Sequence, residues 1–219
     1  RSAHPWADLV ANDRYVSVRL PDDSIVSLDP ATGREIARSF RGGFVDSTRS
    51  ILGVRLRGDR LVVLTISAFV SSTTAVSVLD AGSLEVLVTS DFVGGAPGFD
   101  MVMSNTSVFL LTIGERDVWE LIEIDLATGA ISEPFGTGLL GPIRLSGAGD
   151  TLIAAMSSGT VLYFSMETHK LLDRHRIQRG QSIALVGGPM PIVDGRPVAI
   201  WKVGPNAPVP ETPPATPIP

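Results

Sequence analysis

A hairpin phrase recurs four times along this chain, and it limits the possible folds more than any other feature of the sequence. In each copy an apolar, β-patterned run ends in a short polar anchor residue, four turn residues follow, and a second apolar run begins. The anchors are separated by 51, 45 and 40 residues, and they are Asp29, Asp80, Asp125 and Ser165. A fixed period of this size indicates a repeat protein in which each repeat is one supersecondary unit. The sequence therefore predicts an all-β array of four-stranded antiparallel units.

Turn chemistry explains why the phrase closes a hairpin. An aspartate at a strand end accepts hydrogen bonds from N–H groups of the turn, and a following glycine adopts positive φ without a Cβ clash. We expect the four turns to be formed by Asp29, Thr32, Gly33, Asp80, Gly82, Asp125, Thr128, Gly129, Ser165 and Thr168. In the fourth copy Ser165 replaces aspartate and His169 stands where glycine is expected. That turn should therefore be the most altered of the set.

The segments between the anchors supply the remaining strands. In the second unit, alternating runs over 51–57 and 60–67 flank a hairpin signal at Gly58-Asp59. Corresponding runs cover 100–103 and 108–112 in the third unit, and 143–146 and 151–156 in the fourth. Two further strands are predicted over 183–186 and 197–203, joined through a turn at Asp194-Gly195. Helical periodicity is sustained nowhere.

Two stretches resemble known repeat families. Residues 15–43, from Tyr15-Val-Ser-Val through the Asp29 turn to Phe40-Arg-Gly-Gly43, resemble one unit of the YVTN-type surface-repeat propellers. Residues 191–198, Pro-Ile-Val-Asp-Gly-Arg-Pro-Val, are similar to the opening of a PQQ-like propeller repeat. The resemblance implies a β-propeller of four-stranded antiparallel blades, with four to five blades or as part of a larger propeller. It also implies proteins that are commonly exported and that commonly bind other molecules.

Quinone binding is not expected from this resemblance. Many PQQ-like repeats carry a tryptophan shortly after the Thr-Gly turn, whereas here residues 34–40 and 130–135 contain none. We therefore predict no cofactor. A propeller-type enzyme, of the lactonase or quinone-dependent dehydrogenase kind, is the alternative that a metal or quinone in a central channel would support.

The chain divides into a lead-in over 1–12, a repeat domain over 13–203 and a proline-rich tail over 204–219. The tail prolines that we consider candidate partner contacts are Pro205, Pro208, Pro210, Pro213, Pro214 and Pro217. Such a segment favours extended polyproline II structure, and we expect it to lie along a surface of this domain or of a neighbouring subunit. Because the sequence begins with Arg1 rather than Met, we also expect that a leader has been removed.

Composition excludes several function classes. The chain has no cysteine, so thiol catalysis and zinc sites built on cysteine are ruled out. Its net charge of −5 predicts no nonspecific attraction to nucleic acid or to anionic membranes. Only 19% of residues are charged while 44% are hydrophobic. This balance suits either buried inner strands or an apolar surface that a partner covers.

The catalytic and metal-binding motifs are weak. The run Gly136-Thr-Gly138-Leu-Leu-Gly141 matches the dinucleotide fingerprint, but Pro142 and a β-patterned run follow it instead of a helix. The three histidines, His4, His169 and His175, lack the spacing of a metal site. The acidic pairs Asp22 with Asp23 and Asp91 with Asp100 lack the spacing of a calcium loop, and turn formation explains them better. We therefore predict a domain without catalytic residues.

A basic patch near the fourth turn is the other candidate contact region. It consists of Lys170, Arg174, Arg176 and Arg179 around Asp173. Strand alternation places Arg174 and Arg176 on one face, where they could meet an acidic partner or simply face solvent. The sequence thus favours an extracytoplasmic protein-binding or structural subunit of a larger assembly. A sensor domain whose tail leads to a membrane anchor stays open as a further alternative.

Overall fold

The structure is a computed structural model, and it describes residues 9–39, 49–67, 73–93, 100–113, 118–139, 143–156 and 159–176 together with four two-residue strands. Strands joined by turns and bends make up these ranges, and no helix occurs within them. The prediction of an all-β fold is therefore confirmed. The lead-in over 1–8 and residues 203–219, which contain the proline-rich tail, lie outside the described residues.

Sixteen of the strands form four antiparallel sheets, which we call blades 1 to 4. Blade 1 comprises β1 (Leu9–Ala11), β2 (Val16–Arg19), β3 (Ile25–Leu28) and β4 (Glu35–Ser39). Blade 2 comprises β5 (Arg49–Arg57), β6 (Arg60–Ser67), β7 (Thr73–Asp80) and β8 (Val86–Val93). Blade 3 comprises β9 (Met101–Met103), β10 (Ser107–Ile113), β11 (Trp119–Asp125) and β12 (Phe135–Leu139). Blade 4 comprises β13 (Ile143–Ala148), β14 (Thr151–Met156), β15 (Thr160–Ser165) and β16 (Leu171–Arg176).

Each blade is a meander in which every strand pairs with the next strand in the sequence. The first strands of successive blades lie beside each other, β1 with β5, β5 with β9, and β9 with β13. The fourth strand of each blade is its outer edge. The strands of blades 2 to 4 coincide with the predicted runs to within two residues, and Gly58 takes a φ of +56° in the predicted Gly58-Asp59 hairpin.

The chain after blade 4 departs from the prediction. The predicted strands over 183–186 and 197–203 are replaced by β17 (Ser182–Ile183), which pairs with β20 (Trp201–Lys202), and by β18 (Ile192–Val193), which pairs with β19 (Arg196–Pro197). The predicted turn at 194–195 is outside the described residues, but it separates the two paired strands β18 and β19. Four short strands thus stand where the sequence pattern indicated two, because isolated apolar runs between glycines and prolines do not fix strand length.

Apolar side chains pack between the blades. We call the face of a blade that meets the preceding blade its leading face, and the opposite one its trailing face. Ile25 of blade 1 packs against Leu61 and Leu79 of blade 2, and Phe109 of blade 3 packs against Leu152 of blade 4. Each of these side chains is at most 1% exposed. Burial on both faces explains why the inner strands are nearly continuous in Val, Ile and Leu, and it accounts for much of the hydrophobic composition.

Candidate functional site

Three of the four anchors hold their turns by the same hydrogen bonds. One carboxylate oxygen of Asp29, Asp80 or Asp125 accepts the N–H groups of the second and third residues after it, at N···O distances of 2.7 to 3.1 Å. In all four turns the carbonyl oxygen of the anchor also accepts the N–H of the fourth residue, at 2.8 or 2.9 Å. Each anchor therefore satisfies N–H groups that the strands leave free.

These bonds stabilise the charged form of the anchors. The pKa of Asp29 and that of Asp80 are lowered, and the largest cause in each is a backbone N–H of the turn. The pKa of Asp125 is lowered mainly by the hydroxyl group of Thr128, which lies 2.8 Å from the carboxylate. A carboxylate that accepts several hydrogen bonds is favoured over its protonated form. The anchors thus serve structure, and they are ionised at neutral pH.

The fourth position of each turn has a left-handed backbone. Gly33 and Gly129 take φ values of +68° and +73° there, but Leu84 and His169 take +59° and +57° at the same position. The expectation that Gly82 supplies the positive φ of the second turn is wrong, because Leu84 does. Burial offsets the strain at Leu84, which is 5% exposed.

Gly82 and Ser165 differ in role from the other turn residues. Gly82 donates its N–H to Asp80, and a Cβ on it would lie 3.1 Å from Tyr15 Oη of blade 1, so a small residue is required for close approach. Ser165 Oγ accepts the N–H of Thr168 at 3.1 Å, one turn N–H instead of two. The fourth turn therefore departs from the aspartate turns in both its anchor and its left-handed residue.

The anchor turns also dock onto the preceding blade. Ser27 Oγ of blade 1 donates a hydrogen bond of 2.6 Å to the carbonyl oxygen of Ala81 in the blade 2 turn. Ser90 Oγ of blade 2 donates one of 2.6 Å to the carbonyl oxygen of Gly129 in the blade 3 turn. The turns thus hold the array together between blades as well as within them. Sequence reasoning missed this role, because the partner residues are 39 and 54 positions away.

A polar and aromatic cluster replaces this contact between blades 3 and 4. Glu123 Oε2 lies 2.7 Å from His169 Nε2, and each side chain is 25% exposed. The His169 ring stacks on Phe135 with centroids 4.2 Å apart and planes 5° apart, and Phe109 and Phe164 pack around Phe135 edge to face. We infer that this half-buried cluster fixes blade 4 on blade 3, and that His169 is part of that junction instead of a lone surface histidine.

An ion pair joins the first strands of three blades. Arg55 Nη2 of blade 2 lies 3.1 Å from Asp100 Oδ1, and Asp100 Oδ2 accepts the N–H of Leu145 in blade 4 at 2.9 Å. Arg55 also donates to the carbonyl oxygen of Met101. The carboxylate of Asp100 is thus occupied by protein donors, which agrees with the expectation that it is no calcium ligand.

The outer edges of the blades carry exposed apolar side chains at one recurring place. They stand six or seven residues after an anchor, and they are Ile36, Val86, Leu87, Ile131, Leu171 and Leu172. In blades 1, 2 and 4 the ladder to the outer strand shifts register there, which leaves Ile36, Leu87 and Leu172 as extra residues of a bulge. The sequence gives no separate signal for these bulges.

The candidate contacts Arg174 and Arg176 lie on the outer strand β16. Both are exposed, and they stand opposite Leu162 and Thr160, so they share the leading face of blade 4 as predicted. Neither guanidinium forms an ion pair with a described residue. Leu171 and Leu172, at the start of the same strand, are 53% and 58% exposed. β16 is therefore an edge with an apolar end and a cationic end, while Arg179 and the tail prolines lie outside the described residues.

The remaining motifs have structural roles or none. Asp22 accepts the N–H and the hydroxyl of Ser24 at 3.0 and 2.7 Å, and Asp23 has a positive φ, so this pair forms a turn. The dinucleotide-like run begins inside β12, and its last two residues lie outside the described part of the chain. Asn105 of the glycosylation sequence is exposed and accepts a hydrogen bond from Arg57.

Two searches of the described part of the chain bear on metals and membranes. No three His, Asp or Glu residues gather there into a group that could hold a metal ion. That part also contains no helix with the length and apolarity needed to cross a membrane.

Comparisons with solved structures support the propeller fold. The chain is similar to the quinohemoprotein alcohol dehydrogenase of Comamonas testosteroni (14% identity, TM-score 0.56), covering 88% of this chain and 37% of that one. It is also similar to the Pan2 WD40 domain of Neurospora crassa (11%, 0.52), covering 73% and 49%. The computationally designed Ika4 protein gives 16% and 0.53, with 72% and 89% covered.

At these identities the likeness shows the fold alone. The chain spans about half or less of the two natural proteins. No family model matches the sequence, and no curated protein matches it either. The chain is therefore a propeller of four-stranded antiparallel blades, and the narrower resemblance to YVTN-type repeats stays a prediction.

Proposed function

We propose that this domain is a non-catalytic, extracytoplasmic protein-binding subunit of a larger assembly, and that the β16 edge is its binding surface. The partner segment that fits this edge is an extended strand with acidic and apolar side chains. The observation that carries the proposal is the combination of exposed leucines and exposed, unpaired arginines on one edge strand of blade 4.

The backbone of β16 supplies the first part of the argument. β15 pairs with one side of β16, and no described strand pairs with the other side. An open edge offers a row of N–H and C=O groups to an added strand, which is a common mode of peptide recognition. The bulge at Leu172 interrupts the regular ladder at one end, so pairing is expected along residues 173–176.

The side chains supply the second part. Arg174 and Arg176 lie two residues apart and therefore project from the same face of the strand. Carboxylates at alternate positions of an added strand can meet both guanidinium groups, and the planar guanidinium favours bidentate contact. Leu171 and Leu172 add apolar area beside this site, as expected of a surface that a partner covers.

The proposed location rests on weaker support. The repeat units resemble those of exported surface propellers, and the chain lacks cysteine. The proline-rich tail over 204–219 completes the proposal as a second contact segment, since extended proline-rich chains bind along surfaces with little loss of entropy.

A library of random ten-residue peptides tests the binding surface. We expect wild-type protein to enrich peptides with acidic residues at alternate positions and apolar residues at one end. Affinity for these peptides should fall about tenfold or more in the variant Arg174→Glu/Arg176→Glu, since each lost charge-assisted contact contributes about 1 kcal/mol or more.

The matched control is Arg174→Lys/Arg176→Lys, which keeps both charges and should retain most of the affinity. The proposal fails if no peptide is enriched above a blank surface. It also fails if the enriched peptides bind the charge-reversed variant as tightly as the wild type.

A further inference from the structure

The leading face of blade 1 differs from the leading faces of the other blades. Two rows of side chains form it, because directly paired residues share one face of a sheet. The first row is Leu9, Val18, Val26 and Arg38, and the second is Ala11, Val16, Leu28 and Glu35. Apart from the charged pair on the outer strand, this face is apolar.

The other blades cover the equivalent positions completely. Leu61, Val63 and Leu79 of blade 2 are fully buried against blade 1. In blade 1, by contrast, Leu9 is 64% exposed, Ala11 is exposed, and Val16, Val18 and Leu28 are only half-buried.

The anchor turn of blade 1 is uncovered in the same way. The residue after the anchor is buried in blades 2, 3 and 4, as Ala81, Leu126 and Met166. In blade 1 this residue is Pro30, and it is exposed. A Cβ on Gly33 would meet no atom within 4 Å, although the equivalent turn of blade 3 contacts side chains of blade 2. The leading face of blade 1 therefore has the chemistry of a blade interface without the blade.

We propose that a second copy of this chain covers this face. The trailing face of blade 4 is not free to do so, since Ile153, Ala155, Val161 and Tyr163 are at most 8% exposed. Head-to-tail addition of copies is therefore unavailable. The arrangement that remains for two copies is leading face on leading face, around a two-fold axis.

The charges on the face suit this arrangement. Arg38 donates two hydrogen bonds to Glu35, of 3.1 and 2.7 Å, at the edge of the apolar rows. In a two-fold interface each contact occurs twice with the partners exchanged. Glu35 of one copy can therefore face Arg38 of the other and the reverse, while the valines and leucines pack together as two aligned sheets.

The interface should be weak. Four short strands spaced about 4.8 Å apart, each rising about 3.3 Å per residue, present a face of only about 20 by 15 Å. Interfaces that bury less than about 1,200 Å² in total are typical of transient association. The dimer should therefore form with a dissociation constant in the micromolar range, and mass must be measured over a wide range of concentration.

Sedimentation equilibrium from about 1 to about 300 μM, the range suited to a weak interface, tests the proposal. We expect the mean mass of the wild type to rise from that of one chain, 23.2 kDa, toward twice this value. Leu9→Glu should abolish the rise, because it places a carboxylate in each half of the interface. Since Leu9 is 64% exposed in the single chain, its replacement should leave the thermal midpoint unchanged.

Leu171→Glu is the matched control, a similarly exposed leucine on blade 4 that should leave the dimer intact. It also separates this proposal from the proposed function, since it should weaken peptide binding whereas Leu9→Glu should not. A wild type that stays monomeric throughout, or a dimer that persists in Leu9→Glu or is lost in Leu171→Glu, overturns the proposal. So does a monomeric wild type whose thermal midpoint falls in Leu9→Glu, because the face would then be covered by the chain itself.

Discussion

Gly33→Ala and Gly129→Ala form a matched pair that separates strain within a turn from packing between blades. Both glycines take the fourth position of an anchor turn, with φ values of +68° and +73°. Alanine at either position therefore carries the same left-handed penalty of about 1–2 kcal/mol. Loss of glycine freedom in the unfolded chain offsets about 0.4–1 kcal/mol of it.

The surroundings of the two glycines differ. A Cβ on Gly33 would meet no atom within 4 Å, whereas a Cβ on Gly129 would lie 2.6 Å from both Ser90 Oγ and Val88 Cγ1. Val88 is β-branched and stiff, and Ser90 Oγ cannot turn away without losing its hydrogen bond to the Gly129 carbonyl. Overpacking of this kind costs about 1–3 kcal/mol.

We therefore expect the free energy of unfolding to fall by about 1 kcal/mol in Gly33→Ala and by about 2–4 kcal/mol in Gly129→Ala. Equilibrium unfolding in urea, followed by tryptophan fluorescence, measures both values. Losses that agree within about 0.5 kcal/mol, the usual error of such comparisons, would refute the docking of the blade 3 turn on blade 2.

Three further predictions concern the turns. Leu84→Gly should lower the free energy of unfolding by about 1–4 kcal/mol in urea unfolding, since lost burial of about 2–5 kcal/mol exceeds the relief of about 1 kcal/mol of strain at its φ of +59°; an unchanged or higher stability would contradict this. A double-mutant cycle of Glu123→Gln and His169→Asn should give a coupling of about 1 kcal/mol across blades 3 and 4, and additive effects would remove that contact from the account. Because the pKa of Asp125 is lowered in the folded chain, its charge stabilises the fold above the unfolded pKa of about 3.9, and this contribution is lost as pH falls below about 4. Asp125→Asn should thus flatten the decline of stability between about pH 4 and pH 2, and an unchanged pH profile would count against it.

The sequence predicted the blades better than it predicted the contacts between them. Asp29, Asp80 and Asp125 could be found because a turn bonded to a carboxylate is a local device, readable within six residues. Leu84 was missed as the left-handed residue because glycine was taken as the marker of positive φ, while burial against blade 1 can hold a leucine there. The contacts of Ser90 and of His169 with neighbouring blades join residues far apart in the chain, and no local pattern encodes them.

The candidate site was predicted only in part. Arg174 and Arg176 share an exposed face because strand alternation is a strict period of two. The exposed Leu171 and Leu172 beside them depend on a bulge, which adds one residue to the outer strand and shifts the period. An alternating pattern read through that point places Leu172 incorrectly, so the apolar end of the edge becomes visible only in the structure.

The docking of each anchor turn on the preceding blade is the central claim, and a methyl-resolved NOE spectrum of the folded chain tests it most directly. We predict strong cross-peaks from the Val88 methyl protons to the Gly129 α-protons, and from Tyr15 ring protons to the Gly82 α-protons. Blades that are stacked in another order, or turns that face solvent, would leave both pairs of protons without a cross-peak and would contradict the account.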